Sequence, residues 1–203
     1  MSNLNGITLE TQVKNALHPY WEFKNEINKK TCKKIIGLGN KKWIEARINK
    51  CESTNNVVDT NKRITDVAWC NEQWLYEIVW NYLHSANLNS NWNFQIDSCE
   101  PMQITRYKKN GHYDFHNDGN GFTRFEVPEN KFINGKTRKL SMTIVLNDDY
   151  EGGEFEFFDD KKLIKEKTGT IIVFPSYQVH KVRPVTKGTR YSLVVWFCGE
   201  PLR

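Results

Sequence analysis

The sequence predicts one α+β domain in which helices come first and a sandwich or barrel of short strands follows. Three observations carry this. Helical spacing of apolar residues is confined to the first ninety residues. From Phe94 onward, short segments rich in Ile, Val, Thr and aromatics alternate with Gly, Asn and Asp clusters. The chain has 203 residues, 38% hydrophobic and 13% aromatic, enough to bury a sizeable core and unlike a disordered chain. The expected division is 1–92 as mainly helical support and 93–203 as the strand core of a single domain.

Taken in order, Glu22 to Ile36 places Phe23, Ile27, Cys32, Ile35 and Ile36 at a loose helical period, which Gly37 and Gly39 end. Residues 50–62 are polar and predict an exposed loop. Asn71 offers an N-cap to a second helix carrying Trp74, Leu75, Ile78, Val79, Tyr82 and Leu83 at spacings of three and four, and running to about Ser85. The run Asn87–Asn93 then breaks it. Strands are expected at 94–98, 102–107, 139–146, 154–158, 170–174, 179–183 and 189–197. In the third, Leu140, Met142, Ile144 and Leu146 alternate with Ser141, Thr143 and Val145, as in a strand with two different faces. The stretch Asn117–Arg138 is long, polar and glycine-containing, a length of loop that often carries function.

No apolar run approaches the roughly 20 residues of a membrane-spanning helix, and the first residues lack a basic and apolar leader, so a cytoplasmic protein is expected. Five widely spaced cysteines include no CxxC pair, which excludes a zinc ribbon and a thioredoxin-like motif. They read as reduced, mostly buried thiols. A net charge of +5, spread over scattered lysines, reads as a solvated surface rather than a nucleic-acid footprint.

Three of the five histidines lie in the strand-rich half. His116 and Asp118, two residues apart at a strand end, point to the same side of the chain. With one distant histidine they would complete the two-His, one-carboxylate set that holds Fe(II) with positions open. His180, in the strand after Val173-Phe-Pro-Ser176, is the natural third member. A His-x-Asp pair alone is weak; Arg190 adds weight. Alternation puts Arg190, Ser192, Val194 and Trp196 on one face and Tyr191, Leu193, Val195 and Phe197 on the other. An arginine turned into a barrel is costly unless it meets an anion, and its planar fork suits a carboxylate.

These residues sit in three blocks with a family resemblance. Tyr107-Lys-Lys-Asn-Gly-His-Tyr-Asp-Phe-His-Asn-Asp118 resembles the Y…G…Y..HxD segment of the iron(II)- and 2-oxoglutarate-dependent oxygenases of the prolyl 4-hydroxylase type. Leu146-Asn-Asp-Asp-Tyr-Glu-Gly-Gly-Glu154 is similar to their LN…GGE turn, and His180 to Trp196 to their H.V.PV..G.R…..W segment. Arg63-Ile-Thr-Asp-Val-Ala-Trp69 resembles the strand before their second helix. The resemblance covers about residues 60–198.

It implies a double-stranded β-helix, a jelly-roll barrel with N-terminal helices packed on one sheet. His116, Asp118 and His180 would be the metal ligands. Arg190 would hold the distal carboxylate of 2-oxoglutarate, helped by Tyr107 and Ser192. Tyr113 and Trp196 would line the substrate pocket, and Gly152-Gly153 would make a hairpin turn. Fe(II), 2-oxoglutarate as cosubstrate, O2 and ascorbate are the implied cofactors. Arginine at position 190 matches the oxygen-sensing and bacterial branches; the collagen-type branch uses lysine, so a collagen-like substrate does not follow. The expected function is hydroxylation of a peptidyl residue, proline first, with release of succinate and CO2. The expected partner is a protein or peptide substrate, without a membrane. The alternatives are hydroxylation of a free amino acid or small molecule, a nucleic-acid demethylase, and a non-catalytic binding module. The demethylases place a second arginine where this chain has Trp196, which disfavours nucleic acid. Loops 50–62 and 119–138 are the candidates for contacting substrate.

Overall fold

The structure is a computed structural model that describes residues 18–40, 42–46, 48–49, 56–57, 59–131, 133–159, 163–164 and 167–201. In chain order its elements are β1 (Trp21–Phe23), α1 (Lys29–Leu38), β2 (Ile44–Glu45), β3 (Ile48–Asn49), β4 (Asn56–Val57), β5 (Arg63–Ile64), β6 (Asp66–Cys70) and α2 (Gln73–Asn89). There follow β7 (Ser98–Cys99), β8 (Met102–Tyr107), β9 (His112–His116), β10 (Thr137–Val145), β11 (Glu151–Gly152) and β12 (Phe155–Phe157). The last are β13 (Leu163–Ile164), β14 (Ile171–Pro175), β15 (His180–Val182), β16 (Val185–Lys187) and β17 (Arg190–Gly199).

The larger sheet runs β1-β14-β10-β17-β8-β6-β2, with β7 added to β17. The smaller runs β13-β12-β15-β9-β5. Their strand pairings are antiparallel. Two further strand pairs, β11 with β16 and β3 with β4, lie outside these sheets. The two longest strands, β10 and β17, send alternate side chains to opposite sides of the sheet, one a core and the other lining the cavity. Leu140, Met142 and Ile144 of β10 and Leu193, Val195 and Phe197 of β17 join Cys32, Ile35, Leu75, Val79, Leu83 and Ala86 beneath the two helices. Burying each large side chain there contributes roughly 1.5–3 kcal/mol. On the other side, Tyr107, Phe155, Phe157, Ile172, Phe174, Val182 and Val185 form a second core.

The structure corrects several expectations. Glu22 and Phe23 belong to β1, which pairs with β14 in the register Trp21↔Val173. The first helix starts only at Lys29, where the Asn28 side chain accepts a hydrogen bond from the Thr31 backbone N–H, and it runs through Gly37 to Leu38. The second helix is capped at Glu72, not Asn71, whose side chain instead accepts from the Tyr76 hydroxyl. It continues to Asn89 rather than Ser85. Asn91 and Asn93, both at positive φ, then turn the chain. No strand forms at 94–97, because the Asn87 side chain takes both backbone groups of Phe94, at 2.9 and 3.0 Å. Gly152 and Gly153 make no hairpin. Both are at positive φ where the chain leaves β11, paired with β16, for β12, paired with β15. Finally, β1, β2, β5 and β6 supply strands to both sheets, so 1–92 is more than helical support. Most of the loop expected at 50–62, with Cys51, lies outside the described residues; within it Asn56–Val57 forms a strand.

Candidate active site

The two sheets enclose a cavity of about 580 Å³ lined from both sides. From the smaller sheet come Arg63, Tyr113, His116 and His180; from the larger come Gln103, Thr105, Tyr107, Arg190, Ser192 and Trp196.

The histidines meet because β15 pairs with β9 in the register His180↔His116, which sets both rings on one face, their centroids 4.3 Å apart. Asp118 follows β9. Its backbone N–H and that of Gly119 donate to the Ser176 carbonyl, at 3.0 and 3.1 Å, which draws the carboxylate back over the rings. One donor atom from each of the three residues lies within 4.8 Å of the others. The Asp118 oxygens stand 3.8 Å from His116 Nε2 and from His180 Nε2, too far for a hydrogen bond.

The protonation pattern fits a metal. Nδ1 of His116 faces the Asp114 carbonyl at 2.8 Å, and Nδ1 of His180 faces that of Gln178 at 2.9 Å. A carbonyl only accepts, so each Nδ1 carries the proton and each Nε2 turns a lone pair toward Asp118. Burial, then the neighbouring His180, push the His116 imidazole down to about 3, so it is neutral at physiological pH. Burial alone would raise the Asp118 carboxyl; His180, His116, Arg138 and the Ser141 hydroxyl outweigh it and hold Asp118 ionised. The His116 and His180 rings, each with its Nδ1 on a carbonyl, and one carboxylate are a donor set for a divalent ion. Phe155 and Phe174, at 5.1 and 4.8 Å, hold the His180 ring; Tyr113 stacks on His116 at 3.5 Å.

Arg190 is 2% exposed, and the face predicted from alternation is the face it takes. Its Nη1 donates to Ser192 Oγ at 2.9 Å, while its Nε is buried without a partner. Ser192 Oγ also shares a 2.6 Å hydrogen bond with Thr105 Oγ1. Tyr107 stands opposite Arg190 across β8 and β17, with the guanidinium 5.4 Å from its ring centre. An inward cation with unused donors is a receptor for an anion. The LN…GGE block explains its placement. Asn147 donates to the Thr189 carbonyl and accepts from the Tyr191 N–H, both at 2.7 Å, so it clamps the backbone on either side of Arg190. At Gly153, an added Cβ would sit 3.0 Å from Arg190 Cδ.

Sequence reasoning missed two further cations. Arg138 forms a fork with Glu100 at 2.6 and 2.8 Å, donates to the Asp118 carbonyl at 3.2 Å and lies over the Trp196 ring at 4.1 Å. Arg63 lies over Tyr113 at 4.5 Å. Neither partnership was foreseeable: Glu100 and Arg138 are 38 residues apart and meet only through the folded sheet. Tyr113 and Trp196 line the cavity. The loop Asn117–Arg138 folds back on itself through a Phe125–Asn134 bridge.

The strand barrel thus sets a two-histidine, one-carboxylate donor set beside a buried arginine. The family model described as the 2OG-Fe(II) oxygenase superfamily matches residues 102–198, from the start of β8 almost to the end of β17. A PKHD-type hydroxylase of Xylella fastidiosa (strain M12) is 35% identical over 100 residues, 47% of this chain and 43% of that protein. The chain thus aligns with less than half the length of this relative. Among solved structures, the viral collagen prolyl hydroxylase of Paramecium bursaria Chlorella virus-1, determined with 2-oxoglutarate, superposes with a TM-score of 0.63 at 21% identity, covering 90% of this chain and 97% of that one. A prolyl hydroxylase of Trichoplax adhaerens, bound to a hypoxia-inducible-factor peptide fragment, gives 0.67 at 15% identity, covering 92% and 89%. These likenesses show the double-stranded β-helix fold, and the resemblance read from the sequence holds.

Proposed function

We propose that this protein is an Fe(II)- and 2-oxoglutarate-dependent dioxygenase that hydroxylates a peptidyl residue, proline first. The observation that carries the proposal is the meeting, in one cavity, of His116, Asp118 and His180 with Arg190, whose buried Nε has no partner. His116 Nε2, Asp118 and His180 Nε2 would hold the metal; Arg190, Ser192 and Tyr107 would hold the far carboxylate of the cosubstrate. When bound, iron and the 2-oxo acid supply the oxidising power: O2 and 2-oxoglutarate become succinate, CO2 and one oxygen atom inserted into a substrate C–H bond.

The chain's own residues do the rest. The carbonyls of Asp114 and Gln178 keep the protons on the outer ring nitrogens, so the inner nitrogens stay free to ligate. Ser192 aims the Arg190 fork, and the Phe155, Phe157 and Phe174 cluster excludes water behind His180. Tyr113 and Trp196 wall the space where a substrate would lie. The peptide-bound Trichoplax neighbour supports a peptide in that space. Incubation with Fe(II), 2-oxoglutarate, O2 and a proline-peptide library tests the proposal. A product heavier by one oxygen, formed with equimolar succinate, is expected. Succinate release that persists undiminished in an Asp118→Ala variant would contradict the assignment.

A further inference from the structure

Three arginines line the cavity, and only two have a counter-charge in the reading above: Arg138 has Glu100, and Arg190 would have the cosubstrate. Arg63 is the third. It is 8% exposed, its Nη2 donates to Gln103 Oε1 at 2.9 Å, and its Nε is buried with no partner. Among the described residues it forms no ion pair with a carboxylate. Of the carboxylates lining the cavity, Asp118 faces the two imidazoles and Glu45 is exposed.

Arg63 also stands apart from the cosubstrate cation. The β8–β17 register pairs Thr105 with Ser192, which holds Arg190, and Gln103 with Val194. The row of Gln103, which holds Arg63, is therefore about 7 Å further along the strands. That row also contains Trp69, paired with Gln103 and 43% exposed, so it lies at the mouth of the cavity. Arg63 lies over the ring of Tyr113, which is also stacked on His116. A buried guanidinium without an anion is unfavourable, and its fork matches a carboxylate. Nearby, Trp196 Nε1 is a second buried donor without an acceptor.

Resting on the hydroxylase reading, we propose that Arg63 receives a carboxylate of the substrate, so that the substrate is an acid at or beside the hydroxylated residue. The carboxylate can come from an Asp or Glu side chain, a peptide C-terminus or a free amino acid, and matched probes separate these sources. Proline peptides are compared as Asp against Asn, and as free C-terminus against C-terminal amide, together with free proline against prolinamide. Each is titrated calorimetrically onto the Fe(II)- and 2-oxoglutarate-loaded protein under nitrogen.

At least one carboxylate probe is expected to bind about tenfold or more tightly than its neutral partner, as a charge-assisted pair requires. Arg63→Gln should level that pair, and Arg63→Lys should restore part of the difference. A purely structural role would weaken both members equally. Equal affinities in the unaltered protein, including no measurable binding of either member, overturn the proposal without reference to any variant. So does a preference that survives Arg63→Gln in a folded protein. Admitting O2 afterwards tests the underlying reading separately. Absence of succinate release would count against the oxygenase and leave the charge comparison standing.

Discussion

His116 shows how little chemistry the proposed metal site leaves to chance. Its outer nitrogen is committed to a carbonyl, its ring is covered by Tyr113, and its inner nitrogen is left facing Asp118. Loss of a ligand should therefore act differently from loss of the anchor. His116→Ala or Asp118→Ala should lower succinate release by about a hundredfold or more and weaken Fe(II) binding in parallel. Arg190→Ala should leave Fe(II) binding intact and raise the KM for 2-oxoglutarate by roughly ten- to a hundredfold, the worth of a charged hydrogen-bonded pair. Equilibrium dialysis for the metal and initial rates for the cosubstrate separate the two. Asp66 offers a test outside the site. Partial burial would raise its carboxyl, but Arg106 and Lys108 outweigh that and hold it below the usual carboxylate range. A depressed carboxyl stabilises the fold above its unfolded pKa, and that contribution is lost as pH falls through the folded value. Asp66→Asn should thus cost about 0.5 kcal/mol near pH 7, with the gap closing below about pH 4 in denaturant titrations.

Among the elements, legibility followed local periodicity. β8, β10, β14, β15 and β17 were readable as short segments rich in Ile, Val, Thr and aromatics, and β10 and β17 also show the two-residue alternation that sends Leu140, Met142, Ile144, Leu193, Val195 and Phe197 to the core beneath the helices. Alternation also placed Arg190, Ser192 and Trp196 on the cavity face. Glu22 and Phe23 of β1 were read as helix, since this segment carries no such alternation and becomes a strand only by pairing with β14. β9 was legible only as the strand that ends at His116; its extent was not, since all five of its side chains stay partly exposed or exposed. The three proposed ligands were legible as residue types in a motif, whereas their convergence depends on the β9–β15 register. Glu100, Arg138 and Arg63 left no local signal at all. The turn before β14 bears a stringent constraint. Gly169 has φ +89°, accepts from the Ile27 N–H, and an added Cβ would stand 1.9 Å from the Ile27 carbonyl oxygen. Gly169→Ala should cost about 2 kcal/mol or more by detaching the α1 entry from this turn, visible as a lowered denaturation midpoint.

At the scale of the molecule, the larger sheet divides the labour. One face carries the helices and a dry core, and the other faces the cavity. Packing on the first face fixes the strands whose opposite side chains hold the site, which is why chemistry at the second can tolerate unpaired cations. Among the described residues no helix is long and apolar enough to cross a membrane. The buried thiols Cys32 and Cys70 are both pushed up by burial to about 11, and Cys198 to about 12, so they stay protonated and unreactive. Ligands that bind only the folded chain should stabilise all of it. Fe(II) with 2-oxoglutarate, at a hundred times Kd, should add about 2.7 kcal/mol and raise Tm by roughly 5–10 °C. The increment should vanish on adding a chelator.

The most direct measurement is an anomalous-difference map from crystals grown under nitrogen with Fe(II) and 2-oxoglutarate. The account predicts one iron peak enclosed by His116 Nε2, Asp118 and His180 Nε2, with the far carboxylate of the 2-oxo acid on Arg190. An iron peak elsewhere, or a 2-oxo acid that leaves Arg190 untouched, would contradict it.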